Sequence, residues 1–265
     1  MKIAVLGAGR MGTWFIRKLS AGNELFVYEP KTEALNNLPK ETLILNGMAE
    51  LELVNPELLL NCCPLGMTIA VFKEAMPYLQ PSCILSDIAS VKTGLRDFYN
   101  SSGLAFISTH PMFGPSYCDE ANLKEQNAII ISESFPDAKM FWRSFYEGYG
   151  IKVSEEDFEA HDQTMAYSLA TPFASTMVFA ACMKRIDAPG TNFKKHLAIA
   201  HGLLAEDDTL ISEVMFNPHT IRRLELINSQ LAYLKHIIND RDHEEMAKYL
   251  ARLRVKLDGE DPQYL

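Results

Sequence analysis

The opening segment constrains this chain most. Residues 2–12 read KIAVLGAGRMG, an apolar β-branched run followed by a G-x-G-x-x-G turn at Gly7, Gly9 and Gly12 and then a helical pattern. In that context the first glycine permits a tight turn and the second removes a side chain where a pyrophosphate approaches. The third lets helix pack on strand, and the helix N-terminus attracts phosphate. Ala8, Arg10 and Met11 lie between the glycines and complete the expected cofactor cradle. Glu29 closes the next run, LFVYE, where an acid meets the adenosine ribose hydroxyls. A carboxylate there favours NAD over NADP because it repels a 2′-phosphate, and Lys31 just beyond it works against that preference.

Short apolar runs then alternate with helix-like segments up to about residue 153: IAVL, LFVY, ELLLNC, CILSDI, LAFIS and NAIIIS. Such alternation predicts an α/β domain of Rossmann type, a doubly wound parallel sheet, over residues 1–153. Beyond about residue 155 the strand signal stops and apolar spacings of three and four predict an all-helical domain over residues 154–265, with the ligand cleft between the two. Helices as apolar all round as 165–183 need partners, which points to a homodimer formed through the helical half. The tail DGEDPQYL is expected to fray, and nothing after the helical half reads as a further domain.

With 48% apolar and 22% charged residues the chain has the composition of a folded globular protein, and its formal net charge of −9 argues against nucleic acid and anionic lipid as partners. The longest apolar run, 173–183, falls short of the roughly 20 residues that span a bilayer, and no secretory leader is evident, so the expected location is the cytoplasm. Five cysteines, Cys62, Cys63, Cys83, Cys118 and Cys182, lack zinc spacing and read as reduced, with the Cys62–Cys63 pair read as core. His196/His201 and His236/His243 lack an HExxH pattern, and no metal is expected.

Three further clusters carry candidate chemistry. Cys63, Pro64 and Thr68 follow the fourth strand at the carboxyl edge of the sheet, where Pro64 would border the cofactor; a plain strand-to-helix turn explains them equally well. The segments SDIASVK (86–92) and STHPMFGP (108–115) end successive strands and would face one cleft. His110, in a loop stiffened by Pro111, Gly114 and Pro115, suits a base that takes a hydroxyl proton while hydride leaves the adjacent carbon, with Ser90 orienting it and Lys92 meeting a substrate carboxylate. The alternative is a loop histidine with a structural hydrogen bond. In EAHD (159–162) Asp162 suits a helix N-terminus and His161 reads as a surface residue. Lys194, Lys195 and His196, and the pair Arg222 and Arg223, are basic groups able to clamp a carboxylate; solvated faces are the simpler reading.

The combination of GAGRMG, SDIASVK, STHPMFGP and EAHDQTMAY, in this order and spacing over most of the chain, resembles the prephenate and arogenate dehydrogenases of tyrosine biosynthesis. That resemblance implies a dimeric enzyme carrying out NAD-linked oxidative decarboxylation of prephenate to 4-hydroxyphenylpyruvate. It implies that His110 hydrogen-bonds the ring hydroxyl with the assistance of Ser90. Two departures stand out. Where many members carry a histidine about twelve positions beyond the AHD histidine, this chain reads SLATPF, ending at Phe173. Where they carry an arginine that grips the ring carboxylate, two helical turns past RLEL (223–226), it has Leu231. The carboxylate anchor is then sought among Arg222, Arg223, Lys194, Lys195 and His196. Three other readings stay open: an arogenate dehydrogenase, a 3-hydroxyacid dehydrogenase using a lysine of the helical half, and a nicotinamide-binding regulatory module without turnover.

Overall fold

Strands whose residues are apolar on both faces must be covered on both faces, and that is the arrangement in the computed structural model, which describes residues 1–114, 123–184 and 186–258. Eight strands form one sheet in the order β3-β2-β1-β4-β5-β6-β7-β8. They are β1 (Lys2–Leu6), β2 (Glu24–Tyr28), β3 (Leu43–Ile44), β4 (Leu58–Asn61), β5 (Ile84–Asp87), β6 (Phe106–Pro111), β7 (Asn127–Ile131) and β8 (Lys152–Glu156). The first six are parallel, the Rossmann arrangement expected from the alternation. Two details differ from that expectation. β7 runs antiparallel to β6, so the sheet is mixed, and β3 and β8 are additional edge strands. Two-residue β3 and the polar KVSEE of β8 lack the long apolar run that marks a buried strand.

Alternate residues of each strand feed opposite cores. Ile3, Val5, Leu25, Val27, Leu58 and Leu60 face helices α1 (Arg10–Leu19) and the long helix Pro136–Gly148, whose Trp14, Phe15, Trp142 and Tyr146 are buried there. Ala4, Leu6, Phe26, Leu59 and Leu85 face the other side, against α2 (Thr68–Ala75) and α3 (Leu95–Ser102) through Phe72, Phe98 and Tyr99. Counting Pro136–Gly148 as α4, the chain continues with α5 (Phe158–Met165), a π-helical turn at Ala166–Ala170, α6 (Thr171–Cys182), α7 (Thr191–Leu204), α8 (Asp208–Met215), α9 (Thr220–Asp240) and α10 (His243–Leu257). Asp157, Asp207 and Asp242 cap α5, α8 and α10, each carboxylate accepting from a first-turn backbone N–H.

The chain forms two compact units, Met1–His219 and Thr220–Leu265. Strands give way to helices at Phe158, yet α5 to α8 pack in the same unit as the sheet. Within the second unit, Tyr233 of α9 donates to Glu245 of α10 and accepts from Arg252, which closes the helical hairpin.

The helical run Phe158–Cys182 is long and apolar enough, by length and composition, to cross a membrane, with an 18-residue window of mean hydropathy 1.3. The expectation of no such segment counted only residues 173–183, whereas the helix begins at Phe158. Its first turns carry buried His161 and Asp162, both hydrogen-bonded to residues of the sheet and its loops. Cys83 is buried, but Cys62 and Cys63 are half-buried and Cys182 is exposed, so the vicinal pair is only partly core. Pro115, Cys118 and the tail from residue 259 lie outside the described residues.

Phe15 is fully buried between Trp14, Trp142 and Phe145, with ring centroids 4.8 to 5.9 Å away. Phe15→Ala is expected to lower the unfolding free energy by about 3–5 kcal/mol, measured as a shift in the urea midpoint at unchanged slope.

Candidate active site

β1, β4, β5 and β6 are neighbours in the sheet, so the loops that follow them open on one carboxyl edge. The loop after β1 is the glycine turn. Gly7 adopts φ +95°, and a Cβ on Gly12 would lie 2.1 Å from the Gly7 carbonyl oxygen, so neither position accepts a side chain. Nothing lies within 4 Å of where a Cβ on Gly9 would be, and Gly9 leaves the start of α1 without a side-chain cap. First-turn N–H groups thus stand at an exposed, uncapped helix N-terminus, a ready anion site. Ala8 is buried, Arg10 exposed and Met11 half-buried.

Glu29 is fixed beside the turn. Its carboxylate accepts from the Ala8 N–H at 2.8 Å and from the Lys31 N–H at 2.8 Å. Open space over Gly9, a helix N-terminus without a side-chain cap and a carboxylate following β2 fit a dinucleotide. After β4, buried Asn61 accepts from the Cys63 N–H and donates to the Thr68 carbonyl, which shapes the loop and leaves Pro64 exposed. Thr68 itself is buried, and burial pushes the Cys63 thiol up to about 11, so it is no nucleophile near neutrality. Asn61 went unnoticed in the sequence because an asparagine ending an apolar run carries no pattern.

The loops after β5 and β6 meet α5. His110 is buried, and its Nδ1 lies 3.0 Å from His161 Nε2. His161 is fully buried, with Nδ1 3.1 Å from Asp162 Oδ1. Asp162 also accepts from the Lys92 N–H at 2.8 Å and the Thr93 hydroxyl at 3.0 Å, and its backbone carbonyl is held by Asn217 at 2.9 Å. This corrects the reading of His161 as a surface residue: α5 turns that face inward onto the sheet edge. The His110 ring is held through Nδ1 by His161, and Ser90 is half-buried in the β5 loop.

Lys92 requires a second correction. Its ammonium is wholly buried, 2.7 Å from Asp87 Oδ1 and 2.7 Å from the Thr109 carbonyl, while Asp87 takes a further bond from Tyr99 at 2.6 Å. With its charge spent inside the protein, Lys92 does not reach a substrate carboxylate. Lys194, Lys195 and His196 are exposed on α7; His196 packs against Phe179 and lines a separate small cavity with Ser175, Thr176 and Ile199. Arg222, exposed, and Arg223, half-buried, lie on α9 in the unit Thr220–Leu265, as does Leu231. Phe173 packs with Val91, Ala170 and Val214, an apolar contact where the resembled enzymes carry a histidine. Among the described residues no group of three or more His, Cys, Asp or Glu side chains could hold a metal ion.

Residues 22–138 match the family model described as the prephenate dehydrogenase nucleotide-binding domain. This part of the chain is similar to that domain. The prephenate dehydrogenase match takes in Glu29, Ser90, Lys92 and His110, with the glycine turn just before it. Over 260 residues the chain is 24% identical to a probable arogenate/prephenate dehydrogenase of Methanocaldococcus jannaschii, covering 92% of this chain and 58% of that protein. The chain thus spans little more than half the length of that relative. Its fold is similar to that of the prephenate dehydrogenase from A. aeolicus solved with hydroxyphenyl propionate and NAD+ (TM-score 0.82, 19% identity, 98% of both chains). It is also similar to Synechocystis arogenate dehydrogenase (TM-score 0.77, 19% identity, 98% of this chain and 99% of that one).

Burial, then the neighbouring His161 and Lys92, hold the His110 pKa well below the usual histidine value. Burial also lowers that of His161, against the opposing pull of Asp162. Both rings therefore stay neutral in the folded protein at a pH where the unfolded chain protonates them, near 6.5. The unfolded state then binds more protons, so stability is full above that pH and lost as pH falls below it. Unfolding free energy is expected to drop by up to about 1.4 kcal/mol per pH unit for each ring. Urea unfolding across this range, with a shallower slope in His161→Gln, checks the sign; a flat profile would contradict it.

Proposed function

We propose that this chain is an NAD-dependent dehydrogenase that oxidatively decarboxylates prephenate. The observation that carries the reading is His110: a buried imidazole at the end of β6, its Nδ1 committed to His161, on the same sheet edge as the glycine turn. Nε2 is the nitrogen left to meet a substrate.

The residues divide the work as follows. The backbone at Gly7–Gly12 and the N-terminus of α1 hold the pyrophosphate, and Glu29 accepts from the adenosine ribose hydroxyls and disfavours a 2′-phosphate. When bound, the nicotinamide supplies the hydride acceptor. His110 Nε2 accepts the proton of the ring hydroxyl as the carbinol C–H bond breaks, so a carbonyl develops at that carbon. The carbonyl draws electrons from the ring carboxylate, carbon dioxide departs, and aromatisation makes the step irreversible. Burial suits His110 to this part, because a neutral ring is the form able to take the proton. Arogenate differs only in carrying an amine in place of the side-chain ketone and offers the same hydroxyl and carboxylate to these groups.

Reduced-nicotinamide absorbance with prephenate and arogenate, each with NAD and NADP, tests the assignment. Turnover is expected with prephenate and NAD, and His110→Ala should reduce it by about 10²–10⁴-fold. Equal rates without the histidine, or cofactor binding with no turnover on either substrate, would overturn it; preference for arogenate would change the substrate alone.

We further propose that the protein acts as a homodimer through its helices. Met177 and Val178 on α6 and Ile199 and Leu204 on α7 are 38–59% exposed, a run of apolar side chains on paired helices that a second copy of the chain would cover. Light scattering is expected to give twice the chain mass, and Val178→Glu to shift it towards the monomer; a monomeric parent protein would refute the proposal.

A further inference from the structure

We propose that His161 and Asp162 are positioning residues that fix His110 in the tautomer with a bare Nε2 and share the charge once that nitrogen is protonated. The inference deepens the dehydrogenase reading and rests on His110 as its base.

The argument is one of hydrogen counting. Asp162, ionised, only accepts, and the other groups on it, the Lys92 N–H and the Thr93 hydroxyl, both donate. At 3.1 Å His161 Nδ1 must therefore carry its proton. A neutral imidazole has one N–H, so His161 Nε2 is an acceptor. The 3.0 Å contact to His110 Nδ1 then needs a hydrogen, and it sits on His110. The second nitrogen of His110, Nε2, is left with its lone pair. The reverse arrangement sets a lone pair of His161 against a carboxylate in a site from which water is excluded, since His161 is fully buried.

The two residues are themselves held firmly. Asp157 caps α5 through the Ala160 N–H at 2.7 Å, and Asn217 grips the Asp162 carbonyl. The chain Asp162–His161–His110 thus joins α5, the β5 loop and the end of β6. When the substrate hydroxyl gives its proton to His110 Nε2, the ring becomes an imidazolium. Its Nδ1–H bond to His161, and that of His161 to the carboxylate, strengthen in step, and the proton leaves to solvent after product. The charged and titratable groups acting on the two rings are Lys92, whose ammonium opposes the gain of charge, and Asp162 and Glu156, which favour it; Asp87 faces Lys92.

Imidazole 15N shifts of the cofactor-free protein read the tautomer without any turnover. The expected result is a protonated Nδ1 on His110 and on His161. His161→Leu should erase the His110 preference and cut kcat by about 10–100-fold while KM moves little. His161→Gln, whose amide oxygen can accept where Nε2 did, should restore most of the loss. Asp162→Asn removes the compensating charge, so the acid limb of the kcat profile should move to lower pH as the maximum falls. A protonated Nε2 on wild-type His110 overturns the proposal whatever the activity. So does equal impairment of the Leu and Gln variants with an unchanged tautomer, which marks a merely structural role. A protonated Nδ1 in a protein that turns over neither substrate upholds the tautomer and overturns the dehydrogenase reading instead.

Discussion

A lysine ammonium taken out of water is tolerable only where charge and hydrogen bonds replace the solvent, and the Lys92 ammonium is surrounded on those terms. Asp87 from the end of β5 and the Thr109 carbonyl from β6 hold it at 2.7 Å each. Tyr99 and the Ala89 N–H complete the coordination of Asp87, and Thr109 meets Tyr146 of α4 from the other side. This polar lattice lies under the carboxyl edge of the sheet and fixes the course of residues 88–94. The Lys92 and Thr93 groups that grip Asp162 are thereby fixed as well. The arrangement of the His110 cluster follows from a charge whose bonds lie within the protein.

Much of this was legible in the sequence because it rests on local rules. The glycine turn, Glu29 and six of the strands are written in spacing and β-branching over a few residues, and the structure places the turn and Glu29 together at the carboxyl edge of the sheet. His110 was legible as a histidine ending a strand between restricted backbone positions. What escaped depends on contacts between residues far apart. His161 reads as exposed because helical periodicity alone does not say which neighbour an end turn meets, and its partner lies 51 residues away. Lys92 reads as a surface cation because burial of a lysine is rare and leaves no trace in composition. The antiparallel turn into β7 is equally silent, since an apolar run has no direction.

The two departures from the resembled family fall on α6 and α9, and they differ in physical character. Phe173 is integrated into a small apolar cluster with Val91, Ala170 and Val214, reached through the π-helical turn at Ala166–Ala170. An extra residue in that turn rotates the helix that follows, so which side chains of α6 face inward is set there as much as by their identity. Leu231, by contrast, is more than half exposed on α9, where a substitution carries little packing cost.

The aromatic packing behind the glycine turn has a mechanical consequence. Trp14 lies two residues beyond Gly12 on α1, and its ring meets that of Phe113, three residues beyond His110, edge to face at 5.5 Å. The turn at one end of this contact and the histidine segment at the other are therefore linked through two buried aromatic rings. Close-packed rings resist compression, so a displacement of α1 along its axis would be passed on to the segment carrying His110, and the contact acts as a tie rod between cofactor turn and histidine.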